Sequence, residues 1–155
     1  MKPDNDRDAS RSPHRRGGFV VNEYAKWADE SHAAWMRRVD MFVAEEVMGW
    51  VYMCFSTKPA DEVDETMWAW TLPIGDQAFV APWNWSPSTQ IADAWLVVEK
   101  LGKLTGKDVL VEHCADGERL CTLGWHYRGI WMKDIQEKAD TAPLAICLAA
   151  LEAMK

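Results

Sequence analysis

His113, Cys114, Cys121 and His126 are four side chains of the types that hold zinc, and they stand close together in the chain. They flank Asp116-Gly117, a two-residue turn signal between the β-prone runs 108–115 and 118–127. In a two-residue hairpin Ala115 pairs with Glu118, Cys114 with Arg119 and His113 with Leu120. Side chains alternate between faces along a strand. Cys114 and Cys121 then share one face, and His113 and His126 share the other. A tetrahedral zinc site does not easily collect ligands from both faces. The expectation is therefore no metal and small buried thiols, unless the register slips or a bulge intervenes. No G-x-S-x-G elbow, P-loop or G-x-G-x-x-G occurs. Cys147 lies among Ala and Leu in a helix and reads as packing. Asp61, Glu62, Asp64 and Glu65 form a charge run of the kind that is solvated surface. These residues point to a binding protein, not an enzyme, with no cofactor.

The tryptophans carry more information. Trp68 and Trp70 are two apart on a strand-like segment, so both face one way. Trp83 and Trp85 repeat that spacing in a loop, and Trp125 and Tyr127 share a face of the second hairpin strand. Loops lie at surfaces, and exposed indoles there call for cover by a second subunit or a flat ligand. Ser86, Ser88 and Thr89 stand beside the second pair at a helix N-terminus, where free N–H groups and the helix dipole favour an anion. Trp83, Trp85, Ser86, Ser88 and Thr89, with Trp68 or Trp70 as a wall, make a candidate cradle for a nucleotide-like ligand, base stacked and phosphate capped. Arg119, Arg128 or Lys133 could add charge. For each residue alone a plainer reading stays open: the rings as core packing, Ser86 or Ser88 as a helix cap.

The elements that must position these residues follow from periodicity. Trp35, Val39, Phe42, Val43 and Val47 form an apolar stripe on a helix over 31–48, with Arg37, Arg38, Asp40, Glu45 and Glu46 on its polar side. Gly49 supplies a left-handed end. Residues 50–56 and 66–72 read as strands and 73–88 as a loop. Ser86-Pro87-Ser88-Thr89 opens a second helix, 89–102, with Ile91, Ala94, Trp95, Val98 and Leu101 as its stripe. The hairpin follows. Thr141 then caps a last helix that is apolar almost all round and so buried on several sides. The fold class is α+β, an antiparallel or mixed sheet packed by three helices, with no internal repeat.

The chain has 155 residues, enough for one domain. Residues 1–18 read as a disordered basic tail, with Lys2, Arg7, Arg11, Arg15 and Arg16 against Asp4, Asp6 and Asp8. Residues 19–155 form the domain. The net charge of -7 argues against sequence-specific or general nucleic-acid binding. No apolar run approaches the roughly 20 residues of a membrane helix, and no secretory segment is visible. The cysteines, Cys54, Cys114, Cys121 and Cys147, read as free thiols in a reducing cytoplasm. The 10 Trp, against 3 Tyr and 4 Phe, exceed what one core hides and imply a homo-oligomer.

Three stretches make the chain resemble the phage ABA sandwich domain family: VDMFVAEEVMGW (39–50), PWNWSPSTQIADAWLVVEKL (82–101) and TAPLAICLAALEAM (141–154). The resemblance implies an α/β/α sandwich of phage or prophage origin, and it brings no catalytic residues. The expected function is a non-enzymatic phage protein that binds a small ligand, sequestering a nucleotide-type host signal in the host cytoplasm. The alternative is an interaction module that binds a host or phage protein through its Trp-rich surface.

Overall fold

The computed structural model of the protein describes residues 24–56, 59, 62, 68–72 and 79–155. The tail at 1–18 and most of the acidic run 61–65 lie outside them. Helix α1, His32–Phe42, starts at Ser31, whose hydroxyl accepts the Ala34 N–H at 3.1 Å. It widens into a π turn over Val43–Val47 and ends at Gly49, whose φ of +70° is left-handed. Val39, Val43 and Val47 are buried as the stripe requires. Asp40 is buried with them, although it belongs by type to the polar side.

The chain then forms β1 (Val51–Cys54), β2 (Trp68–Thr71) and β3 (Phe79–Val80), an antiparallel sheet in that order. After a 3₁₀ turn, Pro82–Asn84, comes α2 (Ile91–Thr105). A second antiparallel sheet follows, β4 (Asp108–His113), β5 (Arg119–Tyr127) and β6 (Ile130–Ala139), and then α3 (Ala142–Ala153). The class is α+β as expected, with the strands divided between two antiparallel sheets. Thr141 caps α3 through the Leu144 N–H. Residues Leu144–Cys147 and Ala149–Leu151 are all buried, because α3 packs on β5, β6, α2 and the π turn together. On α2 the inward residues are Ala94, Val97 and Leu101, while Ile91 and Trp95 face out. The helix carries more apolar positions than one face can hold, and Ala94, Val97 and Leu101 take the inward side of a helix that packs on α3.

The expected two-residue turn is not the one that forms at Asp116-Gly117. Asp116-Gly117 lies in a three-residue loop: Cys114 N–H reaches Glu118 O at 2.9 Å, and Gly117, at φ +93°, donates to Cys114 O at 3.1 Å. His113 therefore pairs with Arg119, one residue off the expected register. His113 now shares a face with Cys121, and Cys114 with His126, so the four are still split between two faces. Among the described residues no group of three or more His, Cys, Asp and Glu could hold a metal ion. The two-residue turn is Arg128-Gly129, with φ of 51° and 79°, and it leads into β6, a strand that sequence patterning missed. An Arg at positive φ is uncommon, so nothing like an Asn-Gly signal marks this turn.

A register shift between Leu123 and Gly124 bends the β5–β6 pair. A Cβ on Gly124 would stand 2.2 Å from the Met132 carbonyl oxygen and 2.9 Å from the Trp131 ring. Beyond this point β4 has ended, since Asp108 pairs with Gly124. Helix α3, with 12 residues, is about 18 Å long, against about 33 Å for the 10 residues of β6. The pair Trp125–Tyr127 and Ile130–Met132 thus runs on as an arm. Gly124→Ala should lose about 1–3 kcal/mol of stability, read as a lower midpoint in urea. An unchanged midpoint would show that the backbone there yields freely.

Candidate functional site

The Trp83–Trp85 pair splits. The 3₁₀ turn rotates the chain by about a third of a circle per residue, so residues two apart do not share a face there. Trp85 is buried, its ring 4.5 Å from that of Trp50, and its indole N–H donates to the Asp40 carbonyl at 3.2 Å. Trp83 stays 62% exposed. On β2 the expected pairing of faces is present: Tyr52 stacks on Trp68 at 5.0 Å and lies 4.6 Å from Trp70. Trp70 is buried and Trp68 half-buried.

These elements enclose a hollow of about 180 Å³. Arg37, Asp40 and Met41 of α1 line one side, Trp70 of β2 another, and Pro82, Trp83, Trp85 and Ser86 the rest. A shallower trough of about 690 Å³ adjoins it, sharing Arg37 and Met41 and continuing to Tyr52, Phe42 and Glu45. Of the candidate residues, Trp70, Trp83, Trp85 and Ser86 meet in the hollow. Trp68, Ser88 and Thr89 do not line it. A separate groove of about 360 Å³ between Met48, Trp50, Leu72 and Leu96 involves none of them.

The N–H groups of Ser86 and Ser88 are not open to an anion. Thr89 ends a turn, its hydroxyl donating to the Ser86 carbonyl at 3.2 Å, and α2 begins after Gln90 with no side-chain cap. Two carboxylates already take the nearby N–H groups. Asp93 Oδ2 accepts from Ser86 N–H at 2.9 Å, and Asp40 Oδ1 accepts from the fully buried Ser88 at 2.7 Å. Ser86 and Ser88 thus cap no helix, and their own N–H groups are taken by acids of the chain itself. Arg119, Arg128 and Lys133 do not line the hollow either. Its cation is Arg37, which makes no hydrogen bond or ion pair among the described residues. The neighbouring Arg38 is occupied, bonded to Glu30 at 2.7 Å and lying 4.0 Å from the Trp27 ring. That bond holds the Glu30 carboxyl below the usual range.

Arg37 and Asp40 are the site residues that sequence reasoning missed. The available signal was one acid inside a valine stripe, a buried polar group that asks for a reason. Burial pushes the Asp40 carboxyl up to about 6, against the two Ser88 hydrogen bonds that favour its charge, and Asp93 adds to the rise. The two buried thiols are the opposite of reactive. Burial pushes Cys121 up to about 12 and Cys147 well above the ordinary range.

A raised acid makes the folded state lose stability as pH rises. Between 3.8 and about 6 the folded form keeps the Asp40 proton that the unfolded form has released. Above that window the full penalty, about 3 kcal/mol, applies. Asp40→Asn keeps an acceptor for Ser88 and removes the penalty. Its stability relative to the parent should therefore rise between about pH 4 and pH 7, as followed by urea unfolding at each pH. A difference that stays flat with pH would mean that Asp40 is not strained by its charge.

Among the described residues no helix is long and apolar enough to cross a membrane. No curated protein and no solved structure matches the chain. One family model does match, over residues 41–151, a span from α1 to the end of the buried run of α3. The three helices, the two antiparallel sheets and this match agree: the chain belongs to the phage ABA sandwich domain family.

Proposed function

We propose that the protein is a non-enzymatic binding protein that acts in the host-cell cytoplasm and holds a small nucleotide-type ligand between α1 and the tryptophan wall. The observation that carries this reading is Trp83, an exposed indole on the rim of a concave site that also presents Arg37, a cation with no partner among the described residues. A flat ring can stack on the indole while an anionic group meets the guanidinium. Membership of a phage family supports a counter-defence use, the sequestration of a nucleotide-type host signal. The test is a calorimetric and fluorescence titration of the full chain against cyclic dinucleotides, ADP-ribose derivatives and mononucleotides. Binding is expected to quench tryptophan emission, and Trp83→Ala should weaken it by about 1–3 kcal/mol. No heat, quenching or thermal shift with any of them would transfer the function to protein recognition.

A second reading has its own observation. Trp125 pairs with Met132 and Tyr127 with Ile130, so all four side chains lie on one face of the arm, and all are exposed, Ile130 at 64%. This face continues the one that α3 covers at Cys121 and Leu123. The proposed cover is a second copy. A two-fold axis along the arm sets Trp125 over the partner's Met132 and Tyr127 over the partner's Ile130, pairing aromatic with aliphatic throughout. Ile130→Asp should then shift the sedimentation coefficient from dimer to monomer. A parent chain that is already monomeric at micromolar concentration would leave the arm to a host or phage protein.

A further inference from the structure

The ligand reading can be carried to the base. We propose that the hollow at Trp83 selects a guanine-type base, a purine whose edge offers two N–H donors side by side, with Asp40 as the acceptor and Arg37 as the partner of the attached phosphate. This inference rests on the ligand reading above.

Size sets the first limit. About 180 Å³ corresponds to roughly six water volumes, below the roughly 300–1,000 Å³ of sites that enclose a drug-sized ligand. The hollow therefore takes one ring system, and the rest of the ligand lies outside it. The adjoining trough shares Arg37, so a sugar-phosphate leaving the hollow passes a cation that has no partner among the described residues.

Asp40 sets the second limit. It lines the hollow while its side chain is held inside the protein, and its described hydrogen-bond donors all belong to Ser88. A carboxylate has about four acceptor positions on two oxygens, so capacity remains for donors on a ligand. Trp70, Trp83 and Trp85 supply flat apolar walls, and the Ser86 hydroxyl can donate or accept and so favours no edge, which leaves Asp40 to decide which edge fits. Ionised, it only accepts. The guanine edge presents a ring N–H beside an amino group and matches two carboxylate oxygens. Adenine and cytosine present one donor beside a ring acceptor, and uracil sets carbonyl oxygens on both sides of its N–H. Each places a lone pair against the carboxylate. Protonated, Asp40 offers one donor and one acceptor and matches adenine instead. The titratable groups facing Asp40 are Asp93, from α2, and the Cys147 thiol, from α3, while Arg37 of its own helix lines the same hollow.

The experiment titrates the full chain with GMP, guanosine, AMP and adenosine at about pH 8 and about pH 5, following heat and tryptophan quenching. GMP should bind at least about tenfold tighter than AMP at the higher pH, since a site built for hydrogen bonds rejects an edge that leaves them unmade. The preference should shrink at the lower pH. Asp40→Asn, checked for native circular dichroism, should abolish it, because an amide offers a donor and an acceptor. Arg37→Gln should weaken GMP by about tenfold and leave guanosine unchanged, the mark of a phosphate contact. Equal binding of GMP and AMP by the parent chain at the higher pH overturns the inference, whatever the variants do. If cyclic dinucleotides or ADP-ribose derivatives bind while GMP and guanosine do not, the base assignment fails and the ligand reading stands. If none of these compounds binds, both fail.

Discussion

One residue ties the two parts of the site together. Asp40 receives the Trp85 indole on its carbonyl and the Ser88 N–H on its carboxylate. Two bonds from a single position clamp the segment before α2 onto α1. Everything else in the hollow is set by that clamp. Arg37 and Met41 lie on the same α1 surface as Asp40, and Trp83 hangs from the 3₁₀ turn that Trp85 anchors. The π turn begins three residues after Asp40, so α1 leaves its regular path where it accepts a bond from outside the helix. The arrangement places a carboxylate, 7% exposed, where an apolar residue would pack more cheaply. The hydrogen bond from Ser88 N–H offsets part of that cost.

How much of this was legible depended on whether the signal was local. Ser31, Thr141 and Gly49 act within one helical turn of themselves, and the helices they bound follow from type and spacing. The alternation at Trp68 and Trp70 is also local and predicts their shared face. Trp83 and Trp85 have the same spacing but sit on a 3₁₀ turn, where period two has no meaning. Asp116-Gly117 suits both a two-residue turn and the last positions of a three-residue one, and only the pairing of the whole strands decides between them. Arg128-Gly129 gives no warning, because its arginine is held at positive φ by the strands on either side. Asp40 is intelligible only with its partners from 85–88, more than forty positions away, and no periodicity reaches that far.

The order of elements runs three strands and a helix, twice: β1, β2, β3, α2 and then β4, β5, β6, α3. The sequences of the two halves do not repeat, and their proportions differ. β3 has two residues and β6 ten. The second half outgrows its helix and produces the arm, while the first half is short and leaves room for the hollow beside α1. The helices share one core through α3, which touches α1, the π turn and α2. The parts that differ between the halves are thus the parts that remain uncovered, and it is there that the candidate binding surfaces lie.

The tryptophans divide along the same line. Only Trp50, Trp70 and Trp85 are buried, so the high count is not a demand of the core. Trp27 is exposed but covered on one face by Arg38. Trp35, Trp68 and Trp131 are half-buried, and the exposed Trp83, Trp95 and Trp125 remain, each on a different element. Trp95 has Ile91 one turn before it, and Trp125 has Met132 across the strand pair, both exposed and apolar. Apolar neighbours without polar groups suit another protein surface, since nothing there fixes the orientation of a small ligand. Trp83 alone stands beside a concavity, an acceptor and a cation. The two kinds of recognition therefore need not compete for one surface. A second copy on the arm leaves Trp83 free for a ligand, and the hollow can be emptied by substitution without disturbing the arm.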